Sequence, residues 1–136
     1  MSISLLSLAG FAAWALVLPA IYVGYRVALV LSGKKPANSW TRGSNPENPA
    51  LITRIEHAHM NTLESLPVFA VVILVAFATD QFADTDTFAP WVLGLRTAQS
   101  LVHFIGTTHW LVFVRANLFV GQVALMGWML WLLTCG

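Results

Sequence analysis

Three short runs of polar residues interrupt an otherwise apolar chain, and they hold side-chain types that bind and activate substrates. His57, Asn61 and Glu64 stand at i, i+4 and i+7, a spacing that stacks them on one helix face, and Arg54 extends the stripe. Arg96, Gln99 (or Ser100) and His103 form a second stripe, and Arg115 and Gln122 with Phe119 between them form a third. An ionised group near the middle of a bilayer costs from about 3 to more than 10 kcal/mol, so it turns toward protein or water and marks a functional site by default. Arg26, Arg54, Arg96 and Arg115 outnumber Glu56 and Glu64 in the helical segments. That surplus favours an anionic ligand, best one with carboxylates that guanidinium groups can hold bidentately. Arg26 and Arg54 have a second reading, in which they only snorkel to the membrane interface.

Other chemistries fit less well. His57 and His59 are not four residues apart and no His-Glu-x-x-His run occurs, so no metal site is expected. His59 is expected to pack or to lie at the interface, and His109 to be solvated in a turn. Cys135 is the chain's one cysteine; it can form no disulfide within the chain, and no neighbouring base would stabilise its thiolate. Glu64 has an alternative as the structural partner of an arginine on another helix, and Asn61 as glue between helices. Met60, Phe69 and Phe119 read as packing residues, and Asn117 is off the Arg115 stripe. Arg96 and Arg115 are the hardest to dismiss, because both lie more than a turn inside the expected helix ends.

The elements that must position these groups are membrane helices. The 136 residues are 57% hydrophobic and only 10% charged, with a mean hydropathy of +0.72, whereas soluble domains are about 25% charged. A formal charge of +1 gives no basic surface for a nucleic-acid backbone, so no nucleic-acid partner is expected. Ser4 to Tyr25 is uncharged and long enough to cross a hydrocarbon core of about 30 Å, with Pro19 as an expected kink. A cleaved signal is disfavoured, because no basic residue precedes the apolar run and Leu18-Pro19-Ala20 lacks a small residue three positions before a cut. Ser32 to Asn48 reads as a loop, and Asn48 before Pro49 as the N-cap of a second helix running to about Thr79. A third helix covers about Phe88 to Ile105, a turn follows at Gly106 to His109, and a fourth helix fills Trp110 to Leu133.

The fold class is therefore an all-α integral membrane four-helix bundle, with residues 1–136 as a single domain. Lys34, Lys35 and Arg42 in the first loop contrast with Asp80, Asp84 and Asp86 in the second, which places the first loop and the third turn in the cytoplasm. All three polar stripes then lie mainly in the cytoplasmic half and can share one cavity. Trp40, Trp91 and Trp110 fall near helix ends, where indoles favour the interface.

The run His57-Ala-His59-Met-Asn61-Thr-Leu-Glu64-Ser-Leu-Pro67-Val-Phe69 resembles the second-helix signature of the MAPEG family, the membrane-associated proteins in eicosanoid and glutathione metabolism, with its N-x-x-E core followed by proline and an aromatic residue. Arg96-Thr-Ala-Gln99-Ser-Leu-Val-His103 is similar to that family's third-helix pattern, and the Arg115 segment to the start of its fourth helix. The resemblance implies a homotrimer with glutathione as co-substrate, bound between subunits near the cytoplasmic face. It assigns Asn61 and Glu64 to glutathione contact, Arg96, Gln99 and His103 to the pocket, and Arg115 to the thiolate; His57 lies on the same stripe and is grouped with the binding residues. Met60 and His57 stand where the eicosanoid enzymes commonly carry arginines, Gln99 replaces a histidine, and Ala116 replaces a serine-like residue. Each lost charged hydrogen bond weakens the hold on glutathione carboxylates by about 1.5 to 3 kcal/mol. The variant looks more like the family's bacterial branch, which implies a bacterial inner membrane rather than an endoplasmic one.

The function these features imply is a glutathione-dependent membrane transferase or peroxidase acting on hydrophobic electrophiles that enter from the lipid. The alternatives are a non-catalytic protein that binds lipid or glutathione, and a small proton-coupled exporter. Exporters of this size carry their essential acid in the first helix, and here that helix has none.

Overall fold

The computed structural model describes residues 1–44 and 46–136; Asn45, within the expected first loop, lies outside the described residues. The elements are α1 (Ile3–Leu31), a 3-10 turn (Ala37–Trp40), α2 (Ala50–Ala78), the single-turn α3 (Ala83–Asp86), α4 (Ala89–Ile105) and α5 (His109–Cys135), with no strand among the described residues. The chain is an all-helical membrane bundle of four long helices, as its hydropathy pattern requires.

Helix boundaries depart from expectation where tertiary partners intervene. α1 continues six residues beyond Tyr25, because Val27 to Leu31 are apolar and Arg26 has partners within the fold. Gly33 ends it with φ +72°, a conformation that costs glycine little and lets the Lys34 N–H reach back to the Leu29 carbonyl at 3.0 Å. Asn48 is not the N-cap of α2. Pro49 occupies that position without a side-chain cap, and the Asn48 amide oxygen instead accepts the Trp40 indole N–H at 3.0 Å. The bond ties the 3-10 turn to the start of α2, so the cap oxygen is committed elsewhere.

The acidic loop is also more ordered than its composition suggests. Asp86, at the end of α3, accepts the Ser4 backbone N–H at 2.8 Å and the Ser4 hydroxyl at 2.6 Å, and Thr85 lies 2.7 Å from the same hydroxyl. A carboxylate therefore satisfies one of the free N–H groups that open α1, where the helix dipole favours negative charge.

Three helices, α1, α2 and α5, with 29, 29 and 27 residues, are long and apolar enough to cross a membrane on their own. The fourth expected span is shorter: α4 has 17 residues, about 25 Å at 1.5 Å per residue, at the low end of the spanning range. It compensates by position, packing against α1, α2 and α5. Gly10 permits the close approach of α1 and α4, since a Cβ there would meet the Leu93 side chain at 2.8 Å.

Two apolar layers sandwich a polar one. Toward the acidic loop, Phe11, Phe69, Val72, Ile73, Val92 and Met129 form the larger core. Toward the basic loop, Leu18, Tyr22, Ile55 and Ala58 form a smaller one, flanked by Trp14 and Phe104. Between them, Thr62, Ser65, Arg96, Ser100 and Gln122 are buried. The outward faces, including Val71, Leu74, Val120 and Val123, are apolar and exposed, as a lipid-facing or subunit-facing surface must be.

Candidate functional site

The middle layer is organised by Arg96, which α4 projects into the bundle until only 1% of the residue is exposed. Its guanidinium donates to the Ser65 hydroxyl on α2 and stands 5.8 Å from the centre of the Phe11 ring on α1. Ser65 in turn donates to the Asn61 carbonyl at 3.4 Å. Ser100, one turn along α4, accepts the Trp14 indole N–H at 3.1 Å and so fixes α4 against α1. On the other flank Gln122 donates to Gln99 Oε1 at 2.9 Å, joining α5 to α4.

Beside this scaffold, α2, α4 and α5 enclose a recess of about 290 Å³ lined by Asn61, Glu64, Arg96, Gln99, Arg115 and Phe119, with Val112 and Ala116 completing the wall. Five of the polar residues singled out by spacing thus meet in one hollow. His57 and His103 do not line it. They lie one turn nearer the basic loop, with ring centres 6.2 Å apart; His103 is buried, while His57 opens onto a separate recess of about 340 Å³ with Arg26, Trp40, Glu56 and Met60. The stripes extend further along the helices than the hollow does.

The arginines divide into two groups. Arg26 pairs with Glu56 at 2.9 Å and stacks over Tyr22, the one ion pair among the described residues. Arg54 donates to the Phe104 carbonyl at 3.0 Å. Both are tied into the bundle, contrary to the reading that they only snorkel. Arg96 and Arg115 face the recess with Glu64 as its one carboxylate, and Glu64 forms no ion pair within the chain among the described residues. Among the described residues, buried Arg96 Nε, Arg115 Nη1 and Gln122 Oε1 have no hydrogen-bond partner, and neither does Arg26 Nε, outside the recess. Buried polar atoms without partners are costly, and where they border an open recess they indicate groups arranged for a ligand. The arrangement can hold an anion with two guanidinium groups, orient amide groups through Asn61 and Gln99, and accept a cationic N–H at Glu64.

A family model described as the MAPEG family matches residues 4–135. The chain belongs to the MAPEG family. This MAPEG protein is accordingly an integral, multi-pass membrane protein of eicosanoid and glutathione metabolism. Comparison with curated proteins and with solved structures returned no match.

Spacing singles out Ser100, as the alternative to Gln99 on the α4 stripe, but not Ser65 or Trp14. Ser65 had a usable signal, since it stands one turn beyond Asn61 on the same helix. Trp14 had none, because its partner Ser100 is 86 residues away.

A second recess of about 320 Å³ adjoins the first, sharing Glu64 and Phe119 and otherwise lined mainly by Val68, Val72, Val123, Met126 and Leu130. It lies between α2 and α5, so polar and apolar hollows meet at Phe119.

Proposed function

We propose that this MAPEG protein binds glutathione in the polar recess and conjugates it to, or uses it to reduce, hydrophobic electrophiles. The observation that carries the reading is the pair of recess-facing guanidinium groups, each with a buried N–H lacking a partner, set against a single carboxylate. Glutathione supplies two carboxylates, an ammonium group, amides and a thiol that attacks as its thiolate. Arg96 holds a carboxylate, Asn61 and Gln99 meet the amides, and Glu64 accepts from the ammonium group. Arg115 stands beside the sulfur. A thiol with a pKa near about 8.5 is only a few per cent ionised at neutral pH, and lowering that pKa by two units takes about 2.7 kcal/mol. A partly dehydrated guanidinium next to the thiolate can supply it. His57 and His103 order the seam between α2 and α4 in this assignment.

The apolar recess between α2 and α5 supports a lipid-soluble second substrate, which reaches the sulfur past Phe119. Glu64 is exposed in the single chain, which supports closure of the site by a neighbouring copy, in a homotrimer. The basic first loop supports a cytoplasmic position for that end of the bundle, and the likeness of the motif variant to the family's bacterial branch supports a bacterial inner membrane.

The test is glutathione binding in detergent, followed by conjugation of a generic aryl halide. Saturable binding with thioether formation is expected, and absence of saturable binding overturns the proposal. Binding without turnover on aryl halides or hydroperoxides selects a non-catalytic role. Two features favour that second reading: Gln99 cannot exchange a proton as a histidine would, and Ala116 offers no hydroxyl to the recess wall.

A further inference from the structure

The end of α1 nearest the basic loop carries a feature that the polar recess does not use. The last turns of α1 and the 3-10 turn that folds back toward them enclose a groove of about 430 Å³, lined by Val23, Val27, Val30, Leu31, Ala37 and Trp40, with Arg26 and Thr41 at its edge. Val23, Val27 and Leu31 are exposed. From Val23 to Leu31 the helix rises about 12 Å, so the groove runs from the depth of the hydrocarbon to the level of the loop.

Basic residues adjoin its loop end in the chain: Lys34 and Lys35 follow Leu31, and Arg42 follows Thr41. The left-handed Gly33 turns the chain back so that the N–H groups of Lys34 and Lys35 meet the Leu29 carbonyl at 3.0 and 3.4 Å. Lys35 Nζ donates one N–H to the Glu47 carbonyl at 2.7 Å and comes within 5.8 Å of the Trp40 ring centre, which leaves two N–H groups for an anion. Arg42 follows two residues after Trp40 and is exposed, as is Lys34. Lys34, Lys35 and Arg42 are three of the chain's seven Lys and Arg residues, and no acidic residue separates them before Glu47; Arg26, at the groove edge, is paired with Glu56. Trp40 is itself anchored, its ring 5.6 Å from the Arg26 guanidinium and its N–H bonded to Asn48. The groove wall is therefore held in place by the fold.

We propose that this groove binds one acyl chain of an anionic phospholipid, whose phosphate lies among Lys34, Lys35 and Arg42. An apolar channel at hydrocarbon depth ending in clustered basic residues matches both halves of such a lipid, and cationic residues beside a membrane attract anionic headgroups. A second copy of the chain is a poorer occupant. Asp80, Asp84 and Asp86 lie toward the opposite end, Glu56 is already paired with Arg26, and Glu64 faces the polar recess, so Glu47 is the one carboxylate near this end that a copy could set against the cluster.

Native mass spectrometry of the detergent-purified protein, loaded with phosphatidylglycerol or with phosphatidylcholine of the same acyl chains, tests the site. Phosphatidylglycerol should be retained preferentially, and the double variant Lys34→Gln, Lys35→Gln should lower that preference by about tenfold, each surface cation contributing a few-fold. Val27→Trp, which fills the exposed groove, should reduce retention of both lipids while leaving glutathione affinity unchanged. Equal retention of the two lipids, or an unaltered preference in the double variant, overturns the proposal. So does full competition by inorganic phosphate, which would mean that the headgroup binds without the groove. A change of oligomer size in Val27→Trp with lipid retention intact would identify the groove as a subunit contact instead.

Discussion

The acidic-loop end of the bundle and its polar middle layer use similar groups to opposite ends. At the acidic-loop end, Ser4, Thr85 and Asp86 close on one another through three hydrogen bonds of 2.6 to 2.8 Å over the large apolar core. In the middle layer, Arg96 and Arg115 keep buried N–H groups without partners beside an open recess. A satisfied cluster returns stability to the fold. An unsatisfied one costs stability and holds binding energy in reserve for whatever completes it. The difference separates residues that keep α1 in place from residues available for chemistry.

The largest effect is expected at Arg115. If it stabilises a bound thiolate, Arg115→Ala should raise the spectroscopic pKa of bound glutathione by about two units, near 2.7 kcal/mol. An unchanged pKa removes Arg115 from the mechanism. Arg96→Ala should weaken glutathione binding by about 1.5 to 3 kcal/mol, the range for a lost charged hydrogen bond. Since the same change also frees Ser65, Arg96→Lys is the companion variant: it keeps the charge but loses the planar fork, and calorimetry should place its affinity between the wild type and alanine. The smallest effect belongs to the sealed end. Asp86→Ala should lower stability by about 1 to 2 kcal/mol through loss of the α1 cap, read from thermal unfolding in detergent. Glutathione affinity should stay the same; a parallel loss would mean that the two regions are coupled rather than independent.

Much of this architecture was legible because hydropathy and helical period are properties of the chain in one dimension. The long uncharged runs required membrane helices, and the i, i+4, i+7 spacing of His57, Asn61 and Glu64 fixed their shared azimuth. Spacing could not say where along a stripe the hollow ends, and His57 and His103 fall outside it for that reason. Nor could it foresee that Trp40 would take the Asn48 oxygen, or that Ser4 would find Asp86 across 82 residues, since nothing local distinguishes those partners from others of the same type.

The sequence by itself determined that the chain is a helical membrane bundle carrying three polar stripes, because burying charge in lipid is expensive enough to dictate which face each helix turns inward. Only the tertiary structure decided which members of those stripes meet. Arg26 pairs with Glu56 and Arg54 with the Phe104 carbonyl, away from the recess, whereas Arg96 and Arg115 face one carboxylate in a shared hollow. That division depends on how the helices cross and how deeply each one sits, which the packing of side chains distant in sequence settles.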